Sequence, residues 1–128
     1  MAVYREYDLI ITTAADGTGS ASTQPISGTI ERITVDYAAD VAATADLTIV
    51  IDDTIDVPVL TLTNTITDGV YTPVQAVHAA ADGSVISGLY NKIVVARKPI
   101  RASVAQGGDS KTVSIKLLLS EDVGHILL

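Results

Sequence analysis

Cysteine, tryptophan and phenylalanine are absent from this 128-residue chain, methionine occurs once and histidine twice. Without cysteine there is no disulfide framework and no Cys-based zinc site, although that absence does not locate a protein, since many secreted proteins also lack disulfides. The two histidines, His78 and His125, have no partner at metal-ligand spacing, and each reads as a surface or rim residue. Tyrosine is the only aromatic type, at 4% of residues, too sparse for the stacking platforms that single-stranded nucleic acid or sugars require. No stretch approaches the ~20 apolar residues of a membrane span. The N-terminus already holds Arg5, Glu6 and Asp8, and no signal-peptide core follows, so the chain is expected to be soluble and made in a cytoplasm.

Positive charge is also scarce. The net charge is −7, which argues against a basic nucleic-acid surface. No Lys or Arg occurs between Ile33 and Asn91, an interval that holds Asp36, Asp40, Asp46, Asp52, Asp53, Asp56, Asp68 and Asp82. Lys92, Arg97, Lys98, Arg101, Lys111 and Lys116 then supply six of the eight cations. Two arrangements are open: a molecule polarised between two faces, or interleaved strands that mix the charges.

What is present points to strands. Hydrophobic residues make up 48% of the chain, mostly Val, Ile, Leu and Ala with Thr and Ser between them, a composition suited to a half-buried pleated surface. Tyr7, Leu9 and Ile11 alternate with Asp8, Ile10 and Thr12, giving a first strand over Arg5 to Thr13. Ala14 to Ser22 reads as a polar loop. A long strand over Gly28 to Tyr37 faces Ile33, Val35 and Tyr37 one way, with Ile30 out of phase, which a bulge or a rim position would reconcile. Ala38 to Asp46 reads as a connecting loop, and Leu47, Ile49 and Ile51 mark the next strand. Asp52 to Asp56 is a turn. Pro58 places the strand Val57 to Thr63 at an edge or at its own start.

Tyr71 to Gly83 carries helix signals: Thr72 as N-cap, Pro73 at the first helical position and Gly83 as terminator. The alternation of Val74, Ala76 and His78 favours a strand. Ser84 to Tyr90 reads as a loop. Ile93 to Val95 begins a further strand. Ile100, Ala102 and Val104, then Val113, Ile115, Leu117 and Leu119, alternate on either side of Gln106-Gly107-Gly108-Asp109-Ser110, the pattern of a β-hairpin. Together these features predict one domain, all-β, an antiparallel β-sandwich of jelly-roll-like form with about eight strands and possible extended tails at both termini.

Catalytic equipment is missing. Asp16-Gly17-Thr18-Gly19-Ser20 lacks the following helix that a phosphate loop needs. Ser110 sits in a turn without a base. Asp52, Asp53 and Asp56 lack the central Gly and terminal Glu of a calcium loop and read as an ordinary acidic turn, the alternative being an ion site. No cofactor is expected, and no enzyme activity.

The segments Gly69-Val70-Tyr71-Thr72-Pro73 and Pro99-Ile100-Arg101-Ala102-Ser103-Val104-Ala105-Gln106-Gly107-Gly108-Asp109-Ser110-Lys111 resemble small structural proteins encoded near the head genes of tailed bacteriophages. Ile33-Thr34-Val35-Asp36-Tyr37 and Asp46-Leu47-Thr48-Ile49 are similar to the front half of the same pattern. The resemblance implies a capsid cement or decoration protein that binds the outside of the virion and clamps neighbouring copies of the phage major capsid protein. It also implies a homo-oligomer, a dimer or trimer, with neither nucleic acid nor membrane as partner. On that basis Tyr4, Tyr71, Leu89, Tyr90, Ile126, Leu127 and Leu128 are the expected contact residues. The rival function is a carbohydrate-binding or adhesive β-sandwich module of a phage tail.

Overall fold

The structure, a computed structural model, describes residues 2–122. Eleven strands are present and no helix occurs among the described residues. In chain order they are β1 (Ala2–Thr12), β2 (Gly19–Ser22), β3 (Ile26–Tyr37), β4 (Asp46–Ile51), β5 (Val57–Leu62), β6 (Gly69–Tyr71), β7 (Val74–His78), β8 (Val85–Lys92), β9 (Val94–Lys98), β10 (Ile100–Ala105) and β11 (Thr112–Asp122). One sheet runs β1-β11-β3-β6, with β9 also paired to β3, and the second runs β2-β10-β4-β5. A separate two-stranded sheet pairs β7 with β8.

The pairing follows from folding the chain back on itself. β6 and β9 share one edge of β3, at Ile33 to Val35 and at Ile26 to Thr29 respectively, so they occupy a single strand position interrupted by the β7–β8 hairpin. Counting β6 and β9 together leaves eight positions, paired first with last (β1–β11), second with seventh (β2–β10), third with sixth (β3–β6/β9) and fourth with fifth (β4–β5). This is a long hairpin rolled into two sheets, the jelly roll. The expectation of about eight strands therefore describes the sandwich, and β7–β8 is an insertion in its sixth strand.

Alternation becomes burial. Leu9, Ile11, Ile33, Val35, Leu47, Ile49, Ile100, Ala102, Val104, Ile115, Leu117 and Leu119 all face the space between the sheets and are buried. At ~25 cal/mol for each Å² of apolar area removed from water, this inner layer is the main favourable contribution to folding. Ile30 joins it, fully buried, because β3 carries a bulge: Leu118 opposes Arg32 while Leu119 opposes Ile30, leaving Glu31 as the extra residue. The rim alternative for Ile30 is thereby excluded. Pro58 lies in β5, an edge strand as expected, and Ala38 to Ala45 is the connecting loop.

Three local expectations are corrected. Within the segment Ser84 to Tyr90, residues from Val85 onward are strand, not loop. The polar segment Ala14 to Ser22 is loop only at its start and ends in β2. The hairpin expected around Gln106 to Ser110 does not exist, because β10 pairs with β2 and β4 in one sheet while β11 pairs with β1 and β3 in the other. The turn is an arch between sheets. Alternation states which side chains face inward, and both arms satisfy it while sitting on opposite walls of the core.

The arch is locked to the loops beside it. The Gly107 N–H donates to the Gly17 carbonyl at 2.9 Å, and the Ala42 N–H donates to the Gly107 carbonyl at 3.1 Å. Thr13, 3% exposed, donates its hydroxyl to the Gly108 carbonyl and accepts from the Lys111 N–H. A Cβ at Gly107 would lie 2.9 Å from Val104 Cγ1, so the close approach requires glycine.

Candidate interaction surface

The β7–β8 hairpin leaves the sandwich where β3 bulges. At its root, the Lys92 ammonium pairs with the Glu31 carboxylate, which also accepts from the Ser120 hydroxyl at 2.7 Å. Lys92, and then Ser120, hold the Glu31 carboxyl below the usual carboxylate range. Next to it the Ile30 N–H donates to the Ile93 carbonyl at 2.9 Å, returning the chain to the sandwich. The bulged residue thus serves as the anchor of the insertion.

At the tip, Ala79 donates to the Ser84 carbonyl and Gly83 to the Ala79 carbonyl, with Gly83 at φ 74°. Asp82 accepts from the Ser84 N–H at 3.0 Å and from its hydroxyl at 2.7 Å, and these bonds lower its pKa. The ladder pairs Ala76 with Tyr90 and then His78 with Val85, so Ile86 to Leu89 bulge out opposite Val77 alone, with Gly88 at φ 81°.

Every residue of β8 is exposed. Val74, Val85, Ile86, Leu89 and Tyr90 stand in solvent, Leu89 at 51% and Tyr90 at 63%. Two-stranded hairpins without a covered face are marginal in water, and the burial of the core does not account for these exposed apolar side chains. The strand reading of Tyr71 to Gly83 holds over Val74 to His78. The helix signals lost because Pro73 is buried at the sandwich edge and the following residues pair with β8.

The other expected contact residues are dispersed. Tyr4 is 63% exposed on the outer face of β1, near its free end. Tyr71 is half-buried and packs against the core. Ile126, Leu127 and Leu128 lie outside the described residues, as does His125. Among the described residues, Leu89 and Tyr90 are the two of this set that share an element. Val85 and Ile86, their neighbours on the hairpin, went unnoticed because an apolar pair beside Ser and Gly carries no alternation.

The charges are mixed rather than polarised. Arg101 bridges Asp52 at 3.2 Å and Asp56 at 2.8 Å, and Lys98 reaches Asp53 at 3.2 Å. Cations of β9 and β10 thus occupy the acidic turn between β4 and β5, and the Asp56 carboxylate in particular raises the Arg101 pKa. Lys111 pairs with Asp40 and Lys116 with Glu6. No metal-type cluster of carboxylates or histidine occurs among the described residues. His78 is exposed at the end of β7, and Ser110 bonds its neighbour Asp109. The Asp16 loop runs into β2 rather than a helix.

A shallow groove of about 510 Å³ lies on the outer face of β1, β11 and β3, lined by Glu6, Asp8, Arg32, Asp36 and Lys116 among others.

The fold and this surface define an all-β jelly-roll sandwich bearing a projecting hairpin. Among solved structures the chain is similar to the CBM32 of AlyQ in complex with 4,5-unsaturated mannuronic acid, at 11% identity and TM-score 0.41, covering 85% of this chain and 92% of that one. It is also similar to chains in the structures of infectious bursal disease virus, Gx strain (16% identity, TM-score 0.28) and Gt strain (17%, 0.24); in each, 95% of this chain matches 33% of the viral one. No protein-family pattern matches the chain, and no curated protein does. Likenesses this distant leave function to be argued from the chain's own residues.

Proposed function

We propose that this chain is a non-enzymatic structural protein of a tailed-phage virion, made in the bacterial host, that binds the outside of the capsid and stabilises contacts between major capsid protein subunits. The observation that carries the reading is the β7–β8 hairpin, which lifts Val85, Ile86, Leu89 and Tyr90 away from a sandwich whose core needs none of them. Leucine and tyrosine flanked by uncharged residues suit a protein contact, where tyrosine is enriched and charge is depleted. A cement protein acts by linkage: it binds assembled subunits better than free ones, so its affinity becomes shell stability. Tyr4, on the same molecule but another strand, is a second contact point.

Co-sedimentation with shells assembled from a tailed-phage major capsid protein tests the reading. The unaltered protein is expected to pellet with expanded shells, and Leu89→Ser with Tyr90→Ser to lose at least ~10-fold in affinity, the scale of an interface hot spot. Equal recovery of both proteins with the shells would refute it.

One observation favours a second reading. The mixed-charge groove over β1, β11 and β3 offers carboxylate, guanidinium and hydroxyl groups of the kind that hydrogen-bond sugars. It contains no aromatic ring for stacking. Saccharide hits on a glycan array that disappear with Arg32→Ala would favour a carbohydrate-binding module instead.

A further inference from the structure

We propose that the β7–β8 hairpin is where two copies of this chain pair, β8 against β8, antiparallel about a two-fold axis near Ser87. The proposal rests on the same surface as the capsid reading and names its first partner.

The choice of partner follows from the edges. An exposed strand edge is a template for a second chain, and each edge of the sandwich carries a feature that discourages this. β1 holds Arg5, Glu6 and Asp8, β5 holds Pro58, and β2 and β6 are only four and three residues long. β9 ends in Arg97, at φ 57°, and Lys98. β8 also ends in a cation, Lys92, and carries a bulge with Gly88 at φ 81°, but of these edges it has the longest uncharged run. From Ser84 to Asn91 it is uncharged, and a Cβ built at Gly88 would meet nothing within 4 Å. For a chain of net charge −7, a neutral edge is where two copies meet without opposing like charges.

Charge then selects the orientation. Asp82 at the tip and Lys92 at the root are the hairpin's two formal charges, and they stand five residues either side of Ser87. Antiparallel pairing about Ser87 sets the tip Asp82 of each copy beside the root Lys92 of the other. Parallel pairing would set Asp82 against Asp82. Lys92 then lies between Glu31 of its own chain and Asp82 of the second copy. Pairing through the edge uses backbone groups and leaves the hairpin faces, with Leu89 and Tyr90, free for a shell.

Because the chain has no cysteine, a single introduced thiol reads the axis directly. Facing residues of an antiparallel pair have Cα atoms ~4.5–5.5 Å apart, within the span of a disulfide. In sedimentation velocity without capsids, the unaltered protein is expected to be a dimer. Under mild oxidation Ser87→Cys is expected to crosslink at least ~10-fold faster than Ser20→Cys on β2, reflecting effective concentration at the axis. A monomer at every concentration, or equal crosslinking at the two sites, overturns the pairing. Asp82→Lys and Lys92→Asp are each expected to be monomeric alone and to form a dimer when mixed, since the mixture restores both charge pairs. A mixture no heavier than its components also overturns the pairing. Co-sedimentation of reduced Ser87→Cys separates the two readings. A dimer that ignores the shell removes the capsid reading alone, and shell binding by a monomer removes the pairing alone.

Discussion

Tyr37 ends β3 with its ring in the core, 6% exposed, and its hydroxyl has no hydrogen-bond partner among the described residues. Burial, with Tyr71 and Asp68 nearby, pushes its pKa up to about 12 from 10.0. The folded chain therefore keeps this proton where the unfolded chain releases it. The associated stability is complete below about pH 10 and is lost as pH rises towards about 12. Tyr37→Phe removes a buried group that lacks a partner and is expected to raise stability by ~1 kcal/mol in urea titrations at pH 7. It is also expected to flatten the decline above pH 10, the unfolded-state value. Gly28 is the opposite case. At φ 143° it lies beside the β3 bulge, and a Cβ there would come within 2.8 Å of the Ser120 carbonyl oxygen. Gly28→Ala is expected to cost ~1–3 kcal/mol by the same titration. Neither effect was legible in the sequence: the Tyr37 alternation announced burial, while an unpartnered hydroxyl and an opposing carbonyl are facts about a neighbouring strand.

At the scale of elements, the hairpin and the sandwich separate. No residue from Val74 to Lys92 belongs to the buried core. Val74 and Lys92 face each other across the ladder, so a short turn can replace what lies between them. Replacing residues 75–91 with Asn-Gly is expected to leave a cooperatively folded sandwich, with a melting temperature within ~5 °C of the parent, and to abolish both dimer and shell binding. A chain that fails to fold would show instead that the hairpin supports the core. The strands that could be read from sequence, β1, β3, β4, β10 and β11, each have one face buried, so apolar residues recur at period two. β2 and β8 escaped because β2 is four small or polar residues at an edge and β8 has neither face covered. Leu89 and Tyr90 were named as contact residues through the resemblance, within a segment that reads as a loop. Their place on a projecting strand beside Val85 and Ile86 was not legible.

Across the whole molecule, carboxylates make stability depend on pH from the acid side. Asp16, Glu31, Asp40, Asp53 and Asp82 all have pKa values below their ordinary ones, 4.5 for Glu31 and 3.8 for the aspartates. The causes are, in turn, the Thr18 hydroxyl, Lys92, Lys111, the Thr54 N–H and the Ser84 N–H. Folded values below unfolded ones mean that the stabilisation is present above the ordinary carboxylate range and is lost as pH falls through the folded values. The urea midpoint is expected to drop from pH 5 to pH 3. The four aspartates are exposed and Glu31 is half-buried, so high salt is expected to reduce the ion-paired part of that drop.

The sequence by itself determined the all-β class, the inward faces of five strands, that Ile30 falls out of phase, and that Pro58 marks either an edge strand or a strand start. Each of these depends on one chain segment meeting one apolar layer. Only the tertiary structure decided that β10 and β11 belong to opposite sheets, that β6 and β9 are halves of one strand, that cations of β9 and β10 neutralise the Asp52 turn, and that β7–β8 stands free. Period-two alternation is identical for a strand on either wall of a sandwich, so it contains no information about pairing partners. Pairing was set by which strands could close a shared core, and the hairpin became a candidate contact because nothing in that core needed it.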